Sequence, residues 1–187
     1  TAEMIAHWMR VGFVHGVMNT DNMSIHGLTI DYGPYGWLEN YDPNWTPNTT
    51  DSSTRRYRYG QQAQIGAWNI ARLAEAVAPL MDDVQSLYSV LEHYENKYIE
   101  YQNAMWGQKL GIDDFAEADE ALVIELDGLL QKVETDMTIF FRILSTIETP
   151  EIGLLESSFY DKNTIPTDEW NAWLETWWKR VNNKPNR

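Results

Sequence analysis

Two short motifs near the start of the chain contain residue types that bind hard metal ions and accept protons. Asp21 and Asn22 are adjacent, and Asp31-Tyr32-Gly33 begins nine residues after Asn22. An amide oxygen and a carboxylate are ligands suited to Mg²⁺, and a carboxylate can also take the proton of an attacking hydroxyl. Asn22 and Asp31 are therefore candidate metal ligands. Asp21 is either a general base or a residue that caps the loop.

The spacing between residues 15 and 33 agrees with two motifs of protein kinases. Kinases contain His-Arg-Asp-Leu-x-x-x-Asn, followed by a strand pair and Asp-Phe-Gly. His15 lies seven residues before Asn22, and Asp31 opens the second motif. In kinases the Asn and the second Asp hold magnesium ions against the phosphates of the nucleotide. The pattern therefore indicates a site that binds a metal ion and a nucleotide.

Val17 stands where a kinase has its catalytic aspartate. A valine side chain cannot accept a proton, so the ordinary criterion predicts a pseudokinase. Asp21, one residue before the candidate metal ligand Asn22, could supply the carboxylate from a different position.

The pattern around these motifs predicts mainly helices with one small β-hairpin. Residues 3–13 have apolar residues at helical spacing, and the runs "NMSI" and "LTIDYG", separated by His26-Gly27, are typical of a hairpin. We therefore divide one domain, residues 1–187, into three parts. Residues 1–36 contain the loop and hairpin, residues 37–64 form a long loop without periodicity, and residues 65–187 are helical.

Local signals subdivide the helical part. Pro79 predicts a kink or a break, and Asp114 with Glu117 resembles a capping box that opens one helix through "EALVIELDGLLQKVETDMTIFFRILST". Thr167 is a candidate cap for the last helix. That helix has an apolar stripe, which we interpret as core: Trp170, Trp173, Leu174, Trp177, Trp178 and Val181.

The composition limits the classes of partner and chemistry. With 14 basic and 28 acidic residues, the formal net charge is −14, which repels nucleic acids and anionic membrane surfaces. The absence of cysteine excludes disulfides, thiolate nucleophiles and Cys-ligated zinc. No apolar run is long enough to span a membrane, so we expect a cytoplasmic protein without nucleic-acid or membrane partners.

Arg55, Arg56 and Arg58 form a basic cluster in this acidic chain. One interpretation is a solvated loop whose arginines pair with nearby carboxylates. The other is a contact with phosphate or with an acidic substrate. The sequence leaves both open.

Two longer segments resemble one known family. The segments "VGFVHGVMNTDNMSIHGLTIDYGPYGWLENYDP" and "RYRYGQQAQIGAWNIARLAEAV" are similar to the selenoprotein O (SelO-like) family of kinase-fold protein adenylyltransferases. The resemblance implies a pseudokinase that binds ATP in a flipped orientation and transfers AMP to Ser, Thr or Tyr hydroxyls of protein substrates. It implies that Asp21 is the proton acceptor. It also implies that Asn22 and Asp31 bind Mg²⁺, with Mn²⁺ as the other candidate ion, and that Asp31 holds ATP through the metal.

The resemblance also implies the C-terminal lobe of a kinase-like fold with the N-terminal lobe absent. A kinase-like enzyme needs a Gly-rich loop and a Lys–Glu pair, which we expect outside these residues. We therefore expect the isolated chain to be inactive. Two alternatives remain: a catalytically dead interaction module, and a small-molecule phosphotransferase, although the latter usually keeps an Asp where this chain has Val17.

Overall fold

The secondary structure consists of helices and one very short sheet. A computed structural model describes residues 1–182, so residues 183–187 of the predicted helical part lie outside the described residues. Six α-helices lie within residues 1–182: α1 (Ala2–Val11), α2 (Gln62–Val77), α3 (Gln85–Leu110), α4 (Glu120–Lys132), α5 (Met137–Leu144) and α6 (Thr167–Asn182). The strands are β1 (Phe13–Val14) and β2 (Gly36–Trp37). The prediction of a mainly helical chain is confirmed, and a small two-stranded antiparallel sheet is present.

The chain divides into two compact units. The first contains Thr1–Trp37 and Pro43–Gln102, and the second contains Leu38–Asp42 and the residues from Asn103 onward. No helix within residues 1–182 combines the length and the apolar character needed to cross a bilayer.

The core of the first unit forms where α1 and α2 meet. The helix predicted at residues 3–13 is confirmed as α1, which ends at Gly12 in the left-handed conformation. Apolar side chains from α1, β1, the following loop and α2 form one buried cluster: Ile5, Trp8, Phe13, Met18 and Ile65. Each such side chain contributes about 2 kcal/mol by leaving water. The loop that carries the candidate site residues is therefore attached to a well-packed core.

The sheet lies elsewhere than predicted. β1 pairs antiparallel with β2, so the predicted hairpin between Asn22 and Asp31 is wrong. The turn at His26-Gly27 does form, but no strands flank it. Trp8 Nε1 donates to Thr29 Oγ1 at 2.9 Å, and His15 Nε2 bonds the carbonyl oxygen of Ile30 at 2.7 Å. Side chains, rather than a second strand, hold this segment in place.

In the second unit, two helices replace the single helix predicted up to Thr146. Residues 133–136 interrupt it, because their backbone bonds to distant segments instead of continuing a helix. Thr135 accepts a hydrogen bond from the N–H of Tyr41 at 2.8 Å, and the N–H of Asp136 donates to Ser158 at 2.7 Å. The Asp136 side chain then caps α5 by accepting from the N–H of Ile139.

The predicted capping box of Asp114 and Glu117 is also wrong. A 3₁₀ turn precedes α4, and the Asp119 carboxylate accepts from the N–H of Ala116 at 2.9 Å. Asp114 instead pairs with Arg180. Asp119 therefore both caps the turn and binds Arg180. The hydrogen bond from Arg180 lowers the pKa of Asp119.

The predicted core stripe of α6 is confirmed for Trp170, Trp173, Leu174 and Trp177, whereas Trp178 and Val181 are only partly buried. Trp170, Trp173 and Trp177 are buried. The indole of Trp173 donates to the carbonyl of Leu122 at 2.9 Å, and that of Trp177 donates to Leu110 at 2.8 Å. These bonds satisfy polar groups that burial would otherwise leave unpaired. Pro79 lies in a 3₁₀ turn between α2 and α3, so it marks a break rather than a kink.

Candidate functional site

The loop between β1 and Asn22 is fixed by a buried glutamine at the start of α2. Gln62 accepts from the N–H of His15 at 3.0 Å and donates to the carbonyl of Phe13 at 2.9 Å. Gly16 follows with a φ of +79°, and a Cβ there would lie 2.5 Å from the carbonyl oxygen of Pro34. Only glycine fits this backbone position. These contacts therefore fix the backbone conformation of the first residues of the loop.

Two further side chains hold the middle of the loop. The amide of Asn69, on α2, donates to the carbonyl of Met18 at 2.9 Å. The hydroxyl of Tyr57 donates to Oδ1 of Asn19. The loop is thus anchored from α2 and from the 37–64 segment, just before the residues with candidate chemical roles.

Asp21 and Asn22 lie on a 3₁₀ turn, Thr20–Asn22, at the end of this anchored loop. The carboxylate of Asp21 is exposed and, within residues 1–182, has no hydrogen-bond or ion-pair partner. Asn22 Nδ2 donates to the carbonyl of Val17 at 3.1 Å, which orients the amide and leaves Oδ1 available. A loop cap would require the Asp21 carboxylate to accept hydrogen bonds from backbone N–H groups, and none occurs within residues 1–182.

Asp31 follows the segment that His15 holds. Its φ is +55°, a left-handed conformation that costs about 1 kcal/mol for a residue other than glycine. Its carbonyl accepts from the N–H of Gly33 at 2.8 Å, and its side chain is exposed. Because His15 bonds the carbonyl of Ile30, one residue links the start of the loop to the neighbour of Asp31.

The donor set of Asn22 and Asp31 fits a magnesium ion only together with other ligands. Within residues 1–182 no group of three or more His, Asp or Glu side chains could hold a metal ion. An amide oxygen and a carboxylate are the hard oxygen donors that Mg²⁺ prefers, and Mg²⁺ commonly takes its other ligands from substrate phosphates and water. The residues present are therefore compatible with a metal ion bound jointly with a nucleotide.

An exposed aromatic cluster surrounds the Asp-Tyr-Gly motif and was not predicted. Phe13 lies with its ring centroid 5.4 Å from Trp37 and 6.0 Å from Tyr35, and Tyr32 lies 5.3 Å from Tyr35. Tyr32, Tyr35 and Trp37 are each more than 40% exposed. The three aromatic residues in "DYGPYGW" were the sequence signal that could have predicted this cluster.

Asp51 organises the long segment before α2, and sequence reasoning missed it. Its carboxylate is 8% exposed and accepts from the hydroxyl of Thr54 and from the N–H groups of Arg56 and Tyr57, at 3.0 and 2.8 Å. Burial alone would raise the pKa of Asp51, but these hydrogen bonds lower it below its ordinary value. Tyr57, which contacts Asn19, is therefore held by Asp51.

The arginines of this segment do not pair with carboxylates. Arg55 donates to the carbonyl of Asn44 at 3.4 Å, and Arg58 donates to that of Arg55 at 3.1 Å. The guanidinium of Arg56 lies 4.7 Å from the ring centroid of Trp68. No ion pair of these three arginines occurs within the described 182 residues, although the charge of Arg56 helps to lower the pKa of Asp51. The interpretation of local pairing is therefore supported only for Arg56, and only as a charge interaction without direct contact. The nearby carboxylate of Asp51 is already occupied.

Comparison with known proteins identifies the family. Residues 1–187 match the family described as protein adenylyltransferase SelO. The chain belongs to the SelO family. The resemblance drawn from residues 11–43 and 56–77 is confirmed, and it extends over the whole chain.

Several SelO relatives carry the name protein nucleotidyltransferase YdiU. The chain is 49% identical to the one from Flavobacterium johnsoniae, over 97% of this chain and 36% of the relative. It is 50% identical to those from Aromatoleum aromaticum and an Azoarcus species, over 97% and 93% of this chain and 35% and 34% of the relatives. The chain therefore spans about a third of the length of the curated relatives it matches.

Proposed function

We propose that this chain forms part of a protein adenylyltransferase that transfers AMP from ATP to Ser, Thr or Tyr hydroxyls of protein substrates. The observation that carries the proposal is the carboxylate of Asp21, exposed and without a partner in the described part of the chain, beside the oriented amide of Asn22. Gln62 and Asn69 hold the loop that carries both residues through hydrogen bonds. Membership of a family described as protein adenylyltransferase supports it.

In the proposed reaction, the hydroxyl oxygen of the substrate bonds to the α-phosphorus of ATP, and the bond to the β-phosphate bridging oxygen breaks. Pyrophosphate leaves, and Asp21 takes the hydroxyl proton. Asn22 and Asp31 would hold Mg²⁺, and the ion would offset the charge that develops on the phosphate oxygens. This role needs an Asp21 carboxylate without structural hydrogen bonds, and none involves it within residues 1–182.

We further propose that residues 1–187 are the C-terminal lobe of a kinase-like fold. The order of α1, the His15 loop and the Asp-Tyr-Gly motif supports this assignment. The chain spans about a third of its relatives, and residues elsewhere in the longer protein would supply the remaining phosphate contacts. A cytoplasmic location goes with this function, because ATP and protein substrates are available there.

The experiment uses a protein of the relatives' length that contains this chain, incubated with a protein substrate and Mg²⁺. ATP labelled at the α-phosphate should label the substrate, and ATP labelled at the γ-phosphate should not. Asp21→Ala should reduce labelling by about a hundredfold or more, since positioned proton transfer contributes that much. Asp82→Ala, at an exposed aspartate before α3, is the matched control.

Incorporation of γ label would overturn the proposal and indicate an ordinary kinase. A protein that incorporates neither label and shows no Mg²⁺-dependent binding of ATP would indicate the dead interaction module instead.

A further inference from the structure

A groove of about 430 Å³ lies beside the loop that carries Asp21, within the first unit. Thr20 and Met23 line it from the loop, and Trp68, Asn69 and Arg72 line it from α2. Thr20 directly precedes Asp21, so the groove begins next to the proposed proton acceptor. Neither Asn22 nor Asp31 lines it. The groove is therefore distinct from the proposed metal ligands and adjacent to the proposed base.

The segment that leads into α2 and forms one wall of this groove is rich in arginine, unlike the chain as a whole, although Asp51 and Glu75 flank it. Residues 52–74 contain four arginines and no acidic residue, in a chain with a net charge of −14. The guanidinium carbons of Arg56 and Arg72 lie 4.7 and 5.4 Å from the ring centroid of Trp68, which is 39% exposed. We name these three residues the Arg–Trp–Arg cluster. Trp68 and Arg72 line the groove, whereas Arg56 does not line it and reaches its edge by stacking on Trp68.

Only one of the two guanidinium groups in this cluster forms an ion pair within the described part of the chain. Arg72 pairs with Glu75 at 2.5 Å, whereas Arg56 forms no ion pair within the described part of the chain. Stacking on an indole occupies the face of a guanidinium and leaves its N–H groups, at the edge, able to bind carboxylates. Arg56 is thus an exposed, oriented donor whose geometry suits a carboxylate.

Resting on the adenylyltransferase proposed above, we infer that the groove and the Arg–Trp–Arg cluster bind an acidic segment of the protein substrate. The segment would lie beside the hydroxyl that receives AMP. An acidic peptide is repelled by most of this chain, so the cluster selects one place and one orientation for it. Nucleotide phosphates are the less favoured occupant, because the residues proposed to hold them through a metal do not line the groove.

The binding arm of the test needs no catalysis. Two fluorescein-labelled peptides share one sequence with a central Ser, flanked in one by Glu and in the other by Gln. Fluorescence anisotropy, without nucleotide, measures their affinity for the longer protein that contains this chain. The Glu peptide should bind more tightly. Arg56→Gln should weaken its binding about tenfold, as for the loss of one charge-assisted bidentate contact.

The control variant is Arg142→Gln, at an exposed arginine on α5 in the second unit, and its affinity for both peptides should stay unchanged. Equal affinity for the two peptides would overturn the inference. So would wild-type affinity of the Arg56→Gln, Arg72→Gln double variant for the Glu peptide. Thermal melts of each variant separate loss of binding from loss of folding.

The transfer arm uses the same peptides and ATP labelled at the α-phosphate. In Arg56→Gln, the KM for the Glu peptide should rise about tenfold while the KM for ATP stays unchanged. A raised KM for ATP would assign the cluster to the nucleotide and overturn the inference. If the wild-type protein binds the Glu peptide through Arg56 but never transfers label, the adenylyltransferase proposal fails and the docking site stands.

Discussion

At the scale of single residues, the site depends on carboxylates used in opposite ways. Asp51 is buried, and its oxygens accept hydrogen bonds from the backbone and from Thr54. Asp21 is exposed, and its carboxylate accepts no hydrogen bond within residues 1–182. A carboxylate that accepts several hydrogen bonds stabilises the folded state in its charged form. A carboxylate without them remains available to a substrate. The surroundings, rather than the residue type, separate the structural role of Asp51 from the chemical role proposed for Asp21.

Asp51→Asn should destabilise the protein by about 2 kcal/mol at pH 7, because one buried charged acceptor is lost. Since folding lowers the pKa of Asp51, its contribution is complete above the ordinary pKa of 3.8 and is lost as the pH falls through the lower folded value. Urea unfolding at pH 7 and near pH 3 measures both. Asp82→Asn should change neither curve, and an Asp51→Asn protein as stable as wild type at pH 7 would contradict the assignment.

Asp31→Asn tests the proposed metal site without disturbing the backbone. Asparagine tolerates the left-handed φ of +55° as well as aspartate does, so the substitution removes only charge. ATP with Mg²⁺ should raise the Tm of the longer wild-type protein by a few degrees, and this shift should vanish in Asp31→Asn. The matched control is ATP with a chelator. A full shift in the variant would show that Asp31 does not hold the metal.

At the scale of elements, α2 supports the site through both its buried and its polar faces. Gly66 lies where α2 meets α1 and α3, and a Cβ there would overlap Ile5 and the ring of Tyr94. Tyr94 also donates to the carbonyl of Ala63 at 2.9 Å, and burial raises the pKa of its hydroxyl. The packing of the Ile5 and Tyr94 side chains against α2 therefore depends on the missing side chain of Gly66.

Gly66→Ala and Gly128→Ala form a matched pair within helices. Gly66→Ala should destabilise by about 1–3 kcal/mol, because it forces the packed helices apart. Gly128, in α4, is exposed with nothing within 4 Å of its position, so Gly128→Ala should stabilise by up to about 1 kcal/mol through helix propensity. Thermal and urea melts compare them. A stabilising Gly66→Ala would contradict the described packing.

The sequence correctly predicted the elements that depend on residue spacing within one segment. The apolar period of α1, the break at Pro79 and the tryptophan stripe of α6 were predicted correctly, because each reflects spacing within one segment. The hairpin and the single helix through residues 133–136 were predicted wrongly. There the backbone bonds to residues far away in sequence, such as Thr135 to Tyr41 and Ile30 to His15, and such partners leave no periodic signal.

The candidate site was predictable to a similar extent. Asp21, Asn22 and Asp31 were identified because metal binding and proton transfer require these residue types, and all three lie within one short segment. Asp51 and Gln62, which position that segment, do not stand out. Their function comes only from burial and from partners outside their own segments.

At the scale of the whole molecule, this chain carries one set of candidate groups and a net charge of −14. A Mg²⁺ ion with two protein ligands is held weakly until phosphate oxygens complete its coordination. The proposed activity therefore depends on phosphate contacts from outside the chain, consistent with a chain that spans about a third of its relatives.

The isolated 187-residue chain should show no transfer of α label above background, whereas the longer protein should transfer it. The reason is that two metal ligands alone neither bind nor orient ATP. The measurement is incorporation of α label by the two proteins under the same conditions. The longer protein with Asp21→Ala gives the background level. Transfer by the isolated chain at the full rate would mean that residues 1–187 bind ATP without help.

The two hydrogen bonds of Gln62 also have a consequence for how the molecule opens. The amide of His15 is protected by a side chain on α2, although it lies 47 positions earlier in sequence. Its hydrogen should therefore exchange with solvent when α2 unfolds, not when α1 frays. The loop that bears Asp21 and the helix behind it would then gain and lose structure as one cooperative unit, and a residue such as Gln62 could change the lifetime of the site without touching a substrate.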